Sequence, residues 1–156
     1  MDSSMSEQHW MLADEDATCA LGVQLADALD DGLVVYLRGE LGAGKTSFAR
    51  ALLTALGAGE RIKSPTYSLI EGYQVKGRPA WHLDLYRIAD PGELEWLGLD
   101  ALSDPTALVL VEWPERGQGA LPAPDLELEL SYDGLGRSAS LQPRTVRGER
   151  LLARLR

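Results

Sequence analysis

The sequence predicts one α/β domain, a mixed central sheet flanked by helices. Three observations carry this. Two short runs, 33–37 and 107–111, are continuously apolar, as strands buried on both faces are. Segments with a single apolar helical face precede and follow the first run. Residues 126–132 alternate leucine with acid, the period of a half-buried strand. Strands and helices in this alternation build layered α/β domains. At 156 residues, with no long linker, the whole chain 1–156 is expected to be one domain.

In chain order, residues 1–10 are polar, lack the basic and apolar regions of a secretory signal, and read as flexible. A helix is expected over 14–30, with Leu21, Leu25, Ala28 and Leu29 on one face. Asp14, Glu15 and Asp16 sit at its N-terminal end, where the helix dipole favours acids. Asp31-Gly32 ends it and strand 33–37 follows. A glycine-rich loop, 39–44, leads into a helix over 46–56, with Phe48, Leu52, Ala55 and Leu56 on one face and Gly57 as its cap. Strands over 67–75 and 80–87 flank a Lys76-Gly77 turn, and 91–99 reads as a short helix with proline near its start. After strand 107–111, Leu121-Pro122-Ala123-Pro124 is a rigid connector. Strand 126–132 then turns through 133–136 into strand 137–141, and 144–156 forms an arginine-rich C-terminal helix with Leu151, Leu152 and Leu155 facing inward.

Charge and composition exclude several function classes. The net charge is −9, although the last 13 residues hold five arginines and one glutamate, so the body is more acidic still. Such a surface repels a phosphate backbone, which argues against DNA binding. Arg144, Arg147, Arg150, Arg154 and Arg156 read either as the solvated face of the last helix or as a contact for RNA or an acidic partner. No apolar run approaches the ~20 residues of a membrane span. Cys19 is the only cysteine, so no internal disulfide can form; it reads as a small buried residue, and the cytoplasm is the expected compartment.

The chemistry lies in Gly39-Glu40-Leu41-Gly42-Ala43-Gly44-Lys45-Thr46, which fits G-x-x-x-x-G-K-[ST] between a predicted strand and a predicted helix. Glycines let successive backbone N–H groups curl around a phosphate, and the helix N-terminus adds a positive dipole end. Lys45 supplies a point charge, and the Thr46 hydroxyl is a hard oxygen ligand for Mg²⁺. The fold expected is therefore of the P-loop NTPase type. Such a site needs a second magnesium anchor on a neighbouring strand. Glu112, directly after 107–111, stands at the strand end where ligands bind in open α/β sheets, and is expected either to hold magnesium through a water or to polarise the attacking water. Asp125 begins a strand instead of ending one and is the weaker candidate. His82, Asp84 and Tyr86 share one face of their strand, either as a solvated surface or as a site in which Asp84 orients water and Arg87 clamps charge. Ser64-Pro65-Thr66-Tyr67 has the character of a switch loop sensing the γ-phosphate. Trp113 reads as core or as a neighbour of the phosphates. The chain has no asparagine, which rules out the Asn-Lys-x-Asp guanine reader and favours ATP.

Four motifs occur together and in order: 39–47, Ser64-Pro65-Thr66-Tyr67-Ser68-Leu69, His82-x-Asp84-x-Tyr86-Arg87 and Val111-Glu112-Trp113-Pro114-Glu115. In this the chain closely resembles the TsaE (YjeE) family over about 12–132. The resemblance implies a small bacterial ATPase needed for threonylcarbamoyladenosine modification of tRNA; with no obvious cis arginine finger near the phosphates, the chain alone is expected to be slow. It implies action on a TsaB–TsaD pair, with tRNA met only through that complex. By position it implies Lys45 on phosphate, Thr46 and Glu112 on magnesium, and Asp84 in hydrolysis. It implies Trp113 beside the nucleotide, and Asp14 and Glu15 near the base. Glu115 and Arg137 are further nucleotide-side candidates, and Glu40, Leu41, Gly42, Ala43, Gly44 and Ser47 complete the expected ATP site. Two rivals use the same loop: a small-metabolite kinase, and an ATP-dependent switch without catalysis. Arg50, Arg61, Arg78, Arg87 and Arg116 are too scattered for the usual kinase lid.

Overall fold

The computed structural model describes residues 7–58, 62–63, 70–86, 88 and 102–155. Its strands are β1 (Gln8–Leu12), β2 (Leu33–Gly39), β3 (Ile62–Lys63), β4 (Ile70–Val75), β5 (Arg78–Asp84), β6 (Leu108–Glu112), β7 (Leu126–Asp133) and β8 (Gly136–Pro143). Its helices are α1 (Glu15–Ala28), α2 (Lys45–Ala55) and α3 (Val146–Arg154). Among the described residues the strands form one sheet in the order β1-β8-β7-β2-β6-β5-β4-β3. The central strands β7, β2, β6 and β5 run parallel, and the outer pairs are antiparallel. This is the mixed sheet the sequence predicts.

The alternating strand pattern decides which face does what. Val35, Leu37, Leu110, Leu128 and Leu130 pack with Leu21 and Leu25 of α1, Phe48 and Leu52 of α2, and Leu151 and Leu152 of α3. Leu83, Val109 and Val111 turn to the other face, where Leu85, Ile88 and Leu102 cover them. Fully burying a side chain such as Phe48 is worth about 1.5–3 kcal/mol, so the helix-side cluster dominates stability. Helices α1 and α2 run side by side in the same direction: Glu15 meets Ser47 near one end, and Gly22 meets Phe48 and Ala51 farther along. Gly22 is what permits this, since a Cβ there would stand 2.8 Å from the Phe48 carbonyl oxygen.

The helix ends are finished differently. The Asp14 side chain accepts from the Ala17 N–H at 2.9 Å and caps α1. Gly44 precedes α2 and offers no side-chain cap. Thr145 caps α3, accepting from the Gly148 N–H at 3.2 Å.

Some sequence expectations change. Residues 8–10, read as part of a flexible tail, lie in edge strand β1, which pairs with β8 from Gln8↔Leu141 to Leu12↔Arg137. The strand expected over 80–87 ends at Asp84, whose Oδ1 accepts the Tyr86 N–H at 3.1 Å and turns the chain. The C-terminal arginines mostly brace their own chain. Arg144 bonds Glu127, Arg147 bonds the Gly32 and Pro105 carbonyls, and Arg154 bonds the Ala28 carbonyl and Asp30. Asp125 lies at the opposite end of the sheet from the glycine loop, with Oδ2 accepting the Val34 N–H at 2.9 Å and Oδ1 the Thr145 hydroxyl at 2.8 Å. It pins β2 to α3 and holds no place in a phosphate site. The Ser64–Tyr67 loop, the 91–99 helix, Arg61, Arg87, Arg156 and residues 1–6 lie outside the described residues.

Candidate phosphate and magnesium site

The loop between β2 and α2 is shaped by glycine. Gly39 has φ 144°, and a Cβ there would come within 2.4 Å of the Leu130 carbonyl oxygen. Gly44 has φ 112°, a left-handed conformation that glycine adopts at little cost, immediately before α2 begins. The first N–H groups of a helix have no partner within it, and here no side chain caps them.

Three side chains converge beside this turn. Lys45 is only 4% exposed; its Nζ donates to the Gly39 carbonyl and lies 3.6 Å from the ring centroid of Trp113. Burial pushes its ammonium below the ordinary lysine range, while Glu112, Glu115 and Asp84 pull it back towards charge. The Thr46 hydroxyl lies 2.9 Å from both oxygens of Glu112. Glu112 is 3% exposed, and its Oε2 also lies 2.7 Å from Nε2 of buried His82. Parallel register sets Asp84 directly beside Glu112 at the strand ends. Trp113 adopts φ 59°, a costly left-handed conformation for a bulky residue, and its ring also meets Tyr86 at 5.1 Å.

Two cavities open on either side of the loop. One, of about 220 Å³, is lined by Leu41, Gly42, Gly44, Lys45, Thr46, Ser47, Asp84, Tyr86, Glu112 and Trp113. The other, of about 270 Å³, is lined by Ala13, Asp14, Glu15, Thr18, Gly42, Ala43, Gly44, Ser47, Leu135 and Arg137. They share Gly42, Gly44 and Ser47, so one extended ligand could occupy both across the helix start. The first has the charge and hard oxygens for phosphate and a divalent cation. The second offers carboxylates, an arginine and the exposed Leu135.

Most of the residues singled out from sequence thus meet around one loop. Glu40 and Glu115 line neither cavity. The Glu40 carbonyl accepts the Ala43 N–H to form the turn, and Glu115 pairs with Arg38 at 3.4 Å. The burial of His82 is what sequence reading left open: its alternation with Asp84 and Tyr86 also fits a wet face. Tyr132 donates to the Leu41 carbonyl at 2.8 Å and stacks under Arg137 at 4.2 Å; the sequence carries no sign of its place at the loop, because Leu41 is 91 residues away.

The fold and the site together define a P-loop NTPase domain. The chain belongs to the TsaE family: the family model described as "Threonylcarbamoyl adenosine biosynthesis protein TsaE" matches residues 12–139. It is 37% identical over 147 residues to the tRNA threonylcarbamoyladenosine biosynthesis protein TsaE of Haemophilus influenzae, covering 91% of this chain and 93% of that one. It is 33% identical over 130 residues to the protein of the same name from Bacillus subtilis, covering 83% and 81%. The crystal structure of Bacillus subtilis YdiB superposes with a TM-score of 0.78 at 27% identity, covering 97% of this chain and 95% of that one.

Proposed function

We propose that this chain is a magnesium-dependent ATPase that serves threonylcarbamoyladenosine formation in tRNA by acting on a TsaB–TsaD pair in the cytoplasm. Among the described residues no helix is long and apolar enough to cross a membrane. The observation that carries the reading is the convergence of buried Lys45, Thr46 and Glu112 beside the glycine turn.

The residues present fit Mg-ATP. Glycine geometry leaves backbone N–H groups for phosphate oxygens, and a hydroxyl with a carboxylate forms a hard oxygen set. Thr46 and Glu112 would hold the magnesium ion, which when bound offsets phosphate charge. Lys45 binds phosphate oxygens by leaving its present contacts with Gly39 and Trp113. Its desolvated charge acts strongly there because little water screens it. Asp84 is the water-orienting group of choice. Glu112 spends its oxygens on Thr46 and His82, whereas exposed Asp84 lines the same cavity with one oxygen held by the Tyr86 N–H. Among the described residues no arginine lines that cavity. That Asp14, Glu15 and Arg137 line the neighbouring cavity supports a role for them on the base side of the nucleotide.

The test is Mg-ATP hydrolysis by the purified chain, alone and mixed with a TsaB–TsaD pair. Slow hydrolysis that rises on mixing and vanishes in Lys45→Ala is expected. Hydrolysis indifferent to the pair would refute the accessory role, and Lys45→Ala with full ATP affinity would refute the site.

A further inference from the structure

We infer that His82 is the positioning residue that sets the Glu112 carboxylate for a divalent cation. This rests on the magnesium reading above and gives His82 a role which that reading does not assign.

Glu112 is almost fully buried, and a buried carboxylate needs donors for its oxygens. The Thr46 hydroxyl lies 2.9 Å from each oxygen but has one proton, so it satisfies only one of them at a time. The second donor is His82, with Nε2 at 2.7 Å from Oε2. An ionised carboxylate only accepts, so Nε2 must carry the hydrogen. With Oε2 engaged by His82, the Thr46 proton is left for Oε1. The carboxylate plane is then held from two sides, by β5 and by α2.

The position of His82 suits this role and no direct one. It pairs with Leu110, one pleat deeper in the sheet than Asp84, and is 5% exposed. It does not line the cavity that Asp84 and Glu112 share. Its other ring nitrogen has no hydrogen-bond partner among the described residues and stands 3.8 Å from a Glu71 oxygen, so the ring's one short polar contact is with Glu112. Groups that orient a ligating side chain from behind typically change metal affinity 10–100-fold when removed.

The experiment titrates Mg²⁺ into the full chain with ADP and reads ADP affinity by calorimetry, with an EDTA reference. In His82→Phe the Mg²⁺ needed for half-maximal tightening should rise about tenfold or more. ADP affinity in EDTA should stay at the wild-type level, because Lys45 and the loop are untouched. His82→Gln, which retains a donor of similar reach, should restore most of the magnesium response. Wild-type magnesium dependence in a folded His82→Phe would overturn the inference, as would equal loss of ADP affinity in EDTA. A wild-type chain whose ADP affinity ignores magnesium would instead overturn the magnesium reading on which it rests. Nitrogen-15 NMR of the wild-type imidazole supplies a reading that does not depend on the variant folding. A proton on Nε2 is expected, and a ring protonated on Nδ1 alone would overturn the inference.

Discussion

Replacing Asp125 by alanine should lower stability without touching nucleotide binding. The carboxylate receives the Val34 N–H at 2.9 Å and the Thr145 hydroxyl at 2.8 Å, and it is buried. Alanine leaves both donors without their acceptor. A buried donor stranded in this way costs about 1–3 kcal/mol; the Thr145 hydroxyl can turn to another acceptor, so we take about 3 kcal/mol for the pair. In a domain of this size each kcal/mol moves Tm by about 2–4 °C, which gives a fall of about 6–12 °C. Asparagine should be much milder. Its oxygen can face Val34 while its amide donates to the Thr145 oxygen, which retains a lone pair for the Gly148 N–H. Calorimetric melting of Asp125→Ala and Asp125→Asn, with ADP titration well below either Tm, checks both halves. Unchanged Tm with weakened Mg-ADP binding in Asp125→Ala would refute the assignment of Asp125 to the frame and Glu112 to the site.

Three further outcomes follow from particular contacts. Nucleotide binding should change the emission of Trp113, because the Lys45 ammonium must leave its ring; Trp113→Phe should remove that change while the other three tryptophans remain. Gly22→Ala should press α1 off α2, since its Cβ meets the Phe48 carbonyl oxygen at 2.8 Å. Overpacking of about 1–3 kcal/mol should outweigh the ~1 kcal/mol gained in helix propensity, and a Tm at or above wild type would show that the helices part freely. Burial raises the Glu127 carboxyl, but hydrogen bonds from Arg38 and Arg144 outweigh it and hold the group below the ordinary glutamate range. A depressed carboxyl stabilises fully above its unfolded value and loses that contribution as pH falls through the folded one. Melting curves from neutral pH down past the ordinary 4.5 should therefore fall less steeply in Glu127→Gln than in wild type.

What the sequence made legible was what local chemistry alone decides. The 33–37 run, the glycine loop and the apolar face of 46–56 each carry their own local signal, and β2, the loop and α2 form there. Glu112 was legible because a charge directly after a continuously apolar strand must sit at its end. β1 was not: Gln8, His9 and Trp10 carry no alternation, and they form a strand because β8, more than 120 residues later, offers an edge. His82 was ambiguous for a related reason. Its pattern fits solvent equally well, and its short polar partner, Glu112, is 30 residues away. The contacts of the C-terminal arginines were not legible either, because their carbonyl and carboxylate acceptors lie in α1, β7 and loops far from α3 in the sequence.

The unequal finishing of α1 and α2 has a consequence for selectivity. Because the helices lie alongside with the same polarity, two positive helix ends open next to each other, and a free anion would in principle be drawn to both. The chain supplies its own anion at one of them: Asp14 caps α1, and Glu15 and Asp16 follow in its first turn. At the other it supplies only Gly44. On the Mg-ATP reading, a polyphosphate would therefore be steered to the Gly44 end, because the neighbouring end already carries negative charge.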